Sequence, residues 1–220
     1  MRLCLCYNIS MSVFRKQKQK GFTLVELLVT ISIFVILTGI VLFNQTKFNS
    51  TILLTNLAYD TALTIRQAQT YGINIKEFNS TGAVDGGQFL PYGVHFERGQ
   101  KSFILFTDLD ENGIFNGATT TCQKTEGCVT RYNIKRGNYI QDICKEALTI
   151  GQVECTEGNS LTNVNTVFIR PKPDAVIKSS IVGGGVSLEY PAVTVILGGV
   201  EVGSTRKVIV RSNGLIEIVN

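Results

Sequence analysis

The side chains of this 220-residue chain that could do chemistry are few, and their spacing restricts what they could do. In Asp108-Leu-Asp-Glu-Asn-Gly113, oxygen-bearing side chains alternate and a glycine comes after them. This is the pattern of the first half of a calcium loop, where such oxygens converge on the ion and the glycine permits a sharp turn. The second half departs from it, because the twelfth position is Thr119 and not a bidentate glutamate. Asp108, Asp110, Asn112 and Asn116 are the candidate calcium ligands, with the Ile114 carbonyl as the alternative to Asn116 for completing the site. The competing reading is a hairpin turn in which Asp and Asn side chains bond nearby backbone. His95 is the only histidine, so a Ser-His-Asp or Cys-His hydrolase would have to be built on it alone. It sits mid-strand between Val94 and Phe96, where a structural role is expected. Gly183-Gly-Gly185 precedes a strand and not a helix N-terminus, so it reads as a flexible turn and not as a phosphate cradle. No catalytic residue is assigned, and no cofactor other than calcium is expected.

Cys122, Cys128, Cys144 and Cys155 form an even set of four, apart from Cys4 and Cys6 near the start. In an oxidising compartment four cysteines allow three pairings, and proximity along the chain favours Cys122 with Cys128 and Cys144 with Cys155. A four-thiolate zinc site is the rival, but the set contains no CxxC.

One carboxylate needs a separate explanation. Glu26 stands five residues into an otherwise unbroken apolar run of 22 residues, Phe22 to Phe43. A helix crosses the hydrocarbon layer in about 20 residues, and a signal-peptide core is about 7 to 15, so the run reads as a membrane span. A charge within hydrocarbon costs on the order of 3 kcal/mol on insertion scales, so Glu26 calls for a partner. The first 21 residues hold Arg2, Arg15, Lys16, Lys18 and Lys20 and no acid; the remainder has 16 basic against 17 acidic residues. The formal charge of +4 is therefore a property of the leader. A basic flank keeps that side in the cytoplasm and sends the chain beyond the span across the membrane.

These residues must be carried by elements, and the hydrophobic period names them. Beyond Phe43, Leu54, Ala58, Ala62 (or Thr61), Ile65, Ala68 and Gly72 recur at three- and four-residue steps, which predicts that the helix continues to about Tyr71 with one apolar stripe. Asn56, Asp60, Thr64, Arg66, Gln67 and Gln69 fall on the opposite side and are expected to meet water or a neighbour. From Gly82 the period becomes two. Strands are expected at 92–97, 101–107, 131–135, 139–144, 166–170, 186–190, 193–197 and 207–219, the last folded at Ser212-Asn213-Gly214. The segment around Pro171, Lys172, Pro173 and Asp174 reads as a loop or edge. The fold class is α+β, a long helix followed by an antiparallel sheet. The expected divisions are a leader, 1–21, a spanning half of the helix, 22–43, an amphipathic half, 44–75, and a β-rich head, 82–220.

Lys20-Gly-Phe-Thr-Leu-Val-Glu-Leu-Leu-Val29 resembles the N-terminal processing signal of type IV pilins and of the pseudopilins of type II secretion. The resemblance implies that prepilin peptidase cuts between Gly21 and Phe22 and that Phe22 becomes N-methylated. Glu26 is then the fifth residue of the mature chain and meets the α-amine of a neighbouring subunit's Phe22. It further implies the pilin fold, other pilin or pseudopilin subunits as partners, a single-pass membrane protein before assembly, and a periplasmic or extracellular filament afterwards. Beyond the motif, residues 56–69, the paired strands ending at Asp108 and the closing hairpin are similar to the minor-pilin branch that includes general secretion protein H and FimT. In some of those proteins a basic C-terminal hairpin binds DNA. Here the turn reads Asn213-Gly-Leu-Ile-Glu217, with an acid and apolar residues, so no nucleic-acid partner is expected. The alternative is a membrane-anchored ectodomain that is never processed and serves in adhesion or calcium binding.

Overall fold

The computed structural model describes residues 21–74, 76–79, 89–145, 155, 158, 160–179, 188–199 and 203–219; the side chains of 43–48 are not described. The leader with Cys4 and Cys6, the start of the head at Gly82, and Gly183-Gly-Gly185 lie outside these residues. The chain divides into two units, Met1–Gln45 and Thr46–Asn220, and helix α1 (Leu24–Ile73) contributes to both.

In the first unit, Leu24–Leu42 is the one segment among the described residues long and apolar enough to cross a membrane, and none of it is buried. Its hydroxyls are satisfied inside the helix, Thr30 donating to the Leu27 carbonyl, Ser32 to Val29 and Thr38 to Phe34. No polar group on those three side chains therefore needs water, the condition a segment must meet in hydrocarbon.

In the second unit the helix buries Leu54, Ala58, Thr61, Ile65 and Ala68. At the position where Ala62 and Thr61 compete, Thr61 is the buried one; its hydroxyl donates to the Leu57 carbonyl at 2.8 Å, which removes the cost of burying it. Two residues of the polar side are buried as well. Thr64 bonds the Asp60 carbonyl, and Gln69 donates to the carbonyls of Pro173 (2.8 Å) and Gly214 (3.3 Å). Gly72 is a close-approach site, because a Cβ there would lie 2.5 Å from the Phe168 carbonyl oxygen.

Among the described residues ten strands come after the helix: β1 (Tyr92–Glu97), β2 (Ser102–Thr107), β3 (Cys128–Asn133), β4 (Tyr139–Cys144), β5 (Asn163–Phe168), β6 (Ala175–Ser179), β7 (Leu188–Glu189), β8 (Ala192–Gly198), β9 (Thr205–Arg211) and β10 (Ile216–Val219). They form two antiparallel sheets, β3-β2-β1-β5-β6-β7 and β10-β9-β8-β4. The α+β class expected from the hydrophobic period is the one observed. The main core joins the helix stripe to both sheets through Tyr92, Val94, Phe96, Leu105, Val193 and Val208, among others. β2 is buried on both faces: Phe103 and Leu105 enter this core, while Ile104 and Phe106 join Phe115, Cys128 and Val167 in a second cluster. That cluster places the 108–118 segment against the six-stranded sheet.

Candidate functional site

The segment that begins at Gly21 lies in open surroundings. A Cβ built on Gly21 would meet nothing within 4 Å, and Phe22 is 77% exposed. Thr23 precedes the first helical residue, and its Oγ1 accepts the Glu26 N–H at 3.2 Å; the Thr23 carbonyl accepts the Leu27 N–H at 3.1 Å. Thr23 is thus the N-cap and Glu26 the third helical residue, at the spacing of a capping box and in the first turn, where its acid faces the positive end of the helix dipole. This local role escapes a reading by hydrophobic run. Its signal, Thr-x-x-Glu ahead of apolar residues, stands in the sequence, but counting from Phe22 places Glu26 inside the span and not in the first turn.

The Asp108 turn lies between β2 and β3. Asp108 is buried; its Oδ2 accepts the Gly113 N–H at 2.6 Å, and its buried Oδ1 has no hydrogen-bond partner. Burial pushes its carboxyl up to about 6, the Gly113 N–H opposing and the nearby Asp110 carboxyl adding to the rise. Asp110 Oδ2 accepts the side-chain amides of Asn112 (2.7 Å) and Asn116 (2.8 Å), and Asn112 Oδ1 accepts the Ile114 N–H. All four candidate calcium ligands thus belong to one turn. Only two are carboxylates, and among the described residues no three His, Cys, Asp or Glu side chains are grouped as a metal site. The turn's amides face Asp110 with N–H groups, so holding a cation would require Asn112 and Asn116 to present their oxygens instead.

Cys122 is bonded to Cys128 and Cys144 to Cys155, with Cα–Cα distances of 5.2 and 5.5 Å. The first bridge closes the segment that carries the Asp108 turn back onto β3. The second stands beside Ser160, which donates to Asp142 and accepts from Arg98.

His95 sits beneath this region. Asn165 Oδ1 accepts the Phe115 N–H (3.1 Å) and lies 2.7 Å from His95 Nδ1, so Nδ1 carries the proton that donates to it. Nε2 is then an acceptor, buried with no partner. Burial lowers the His95 pKa, the Asn165 bond and the Glu97 charge opposing. The ring is a structural node that ties the 108–118 segment to β1 and β5.

Residues 16–42 match the family model for the prokaryotic N-terminal methylation motif. No curated protein and no solved structure matches the chain. The matched region holds Gly21, Phe22 and Glu26 and covers the apolar segment, and together these are consistent with membrane anchoring and with a pilin-like N-terminal region.

Proposed function

We propose that the chain is a structural subunit, cut between Gly21 and Phe22 by prepilin peptidase, N-methylated at Phe22, and assembled through its apolar helix into a type IV pilus or type II secretion pseudopilus. The observation that carries this reading is the methylation motif at residues 16–42 on an apolar helical segment, Leu24–Leu42, with no buried residue. A surface that apolar is stable only in lipid or against other such helices. Because nothing in the fold crowds residue 21, any need for glycine there belongs to the peptidase. Minor-pilin membership and a filament location outside the membrane are part of the same proposal.

Glu26 has two accounts, a helix cap within its own chain and a charge partner for a neighbour's α-amine. Glu26→Gln separates them, since glutamine also serves in a capping box but carries no charge. In the proposed reading Glu26→Gln is inserted, cut and methylated, which mass spectrometry of the mature N-terminus reads, but is depleted from sheared filaments because a neighbour's buried amine stays unpaired. Normal recovery in filaments would reduce Glu26 to a cap. An unprocessed chain starting at Met1 would favour the anchored ectodomain.

A second reading concerns the Asp108 turn, and the buried Asp108 Oδ1 without a partner favours it. A calcium ion held by Asp108, Asp110 and Asn112, with Asn116 or the Ile114 carbonyl completing the set, would satisfy that oxygen and neutralise two adjacent carboxylates. Calcium at a hundred times its dissociation constant would add about 2.7 kcal/mol of stability, a rise in melting temperature that Asp110→Asn removes. Identical melts in calcium and in chelator would leave the turn as a hydrogen-bonded hairpin.

A further inference from the structure

Asn-Gly occurs at Asn112-Gly113, Asn116-Gly117 and Asn213-Gly214. The pair is chemically labile, because a glycine with no Cβ leaves its backbone nitrogen open to attack the carboxamide carbon of the asparagine before it. The attack needs that nitrogen free of other bonds and the carboxamide free to turn onto it.

Two of the pairs are locked on both counts. The Gly113 N–H donates to Asp108 Oδ2 (2.6 Å), while Asn112 Oδ1 accepts the Ile114 N–H (2.7 Å). The Gly214 N–H donates to the Arg211 carbonyl (2.9 Å), while Asn213 Oδ1 accepts the Leu215 N–H (3.1 Å). Both of these glycines are buried.

Asn116 differs on each point. It is exposed, and among the described residues no acceptor meets the Gly117 N–H and no donor meets Asn116 Oδ1. Its one bond is made by the amide nitrogen, Nδ2 donating to Asp110 Oδ2 at 2.8 Å. Packing keeps residue 117 a glycine, since a Cβ there would lie 2.5 Å from Phe115 Cζ and 2.9 Å from Glu126 Cβ. The fold thus has no room for the side chain that would shield this nitrogen.

We propose that Asn116-Gly117 is a site of spontaneous modification, at which Asn116 loses its amide as ammonia and leaves a third carboxylate in the Asp108 turn. The Gly117 nitrogen bonds to Asn116 Cγ as the Cγ–Nδ2 bond breaks, and the proton from the Gly117 N–H departs with Nδ2 as ammonia. Water then opens the resulting succinimide at either carbonyl, giving aspartate or isoaspartate. Either product replaces the amide that donates to Asp110 with a like charge, so a turn satisfied by amides comes to hold three carboxylates. On the calcium reading of this turn, a charged donor takes the place of a neutral one.

The test holds the full-length chain in detergent at mildly alkaline pH, then digests it and maps the residues by fragment mass spectrometry. The expected result is a gain of about 1 Da at residue 116, amide exchanged for hydroxyl, that rises with time. It should be absent from Asn116→Gln, whose longer side chain closes a larger ring more slowly. Asn112 and Asn213 in the same sample should convert at least about tenfold more slowly, the equivalent of about 1.4 kcal/mol for the bonds each must first give up. In urea with both bridges reduced, the three should convert at similar rates, because only the fold distinguishes them. No gain at 116 in the folded chain overturns the site, as does a gain at 112 or 213 that keeps pace with it. A preference for 116 that persists in urea overturns the structural cause. Asn116→Asp, which installs one product, should show a larger calcium-induced rise in melting temperature than the native chain. That arm rests on the calcium reading, and no rise in either chain removes that reading while the mass gain keeps the modification standing.

Discussion

His95 is neutral in the folded head because burial disfavours its charged form, and its bond to Asn165 fixes the proton on Nδ1. The group's folded pKa lies below its unfolded value of 6.5, so its contribution to stability is fully present above pH 6.5 and is lost as pH falls towards the folded value. Glu97, on the same strand, is the charged group that moderates the loss. The clean measurement is a difference. The stability of the native chain relative to His95→Gln should be constant above about pH 6.5 and fall below it, because glutamine does not titrate. Taking the difference cancels Asp108, whose raised pKa acts in the opposite sense, destabilising the head as pH rises through about 6. A difference that stays flat from neutral to mildly acid pH would mean that His95 titrates as in the unfolded chain.

The closing hairpin shows what an element needs beyond its pattern. Gly214 has φ +79°, and a Cβ there would lie 2.2 Å from the Pro173 carbonyl oxygen and 2.7 Å from Gln69 Nε2. Gly214→Ala therefore combines a left-handed backbone with a clash against backbone, and it should cost about 3 kcal/mol or more. Asn213→Ala, which loses only the bond from the Leu215 N–H to Asn213 Oδ1, should cost about 1 kcal/mol. Urea unfolding of the two variants ranks them, and equal costs would mean that the 173 loop gives way. The turn residues were legible because Asn-Gly announces a hairpin, whereas the contact with Gln69, 145 residues away, was not. The helix, β1 and β4 were legible for the same reason, since their alternations are local. β6 was missed because Pro171, Pro173 and Asp174 precede it and five residues are too few to outweigh them; pairing with β5 makes it a strand. β3 starts at Cys128, earlier than expected, where the disulfide and the pairing of Cys128 with Phe106 hold it. β5 starts at Asn163 because its asparagines, which read as loop, include Asn165, a buried acceptor. The site's residues were legible by type, but the orphaned Asp108 oxygen and the Thr23 cap depend on geometry that composition does not carry.

The division of the chain follows burial. No described residue of Leu24–Leu42 is buried, and the buried hydrophobic residues begin at Leu54. Among the described residues both bridges, the ten strands and the helix residues that enter the core belong to Thr46–Asn220. A chain of residues 46–220, secreted to an oxidising compartment so that both bridges form, should therefore fold alone. It loses the surface that demands lipid and none of the described residues that fill the core. It should elute as a monomer and melt close to the full-length protein in detergent. For a domain of this size a fall of more than about 4 °C would represent roughly 1 kcal/mol or more, and would show that the first unit supports the head. A matching melt together with loss of membrane association would separate the two tasks physically, with Leu24–Leu42 serving the bilayer and neighbouring helices, and the head holding its shape without them. The position of Glu26 fits that division: a carboxylate in a segment that contributes nothing buried to its own fold can be replaced without unfolding the head, so the effect of Glu26→Gln on filaments reports on contacts between chains.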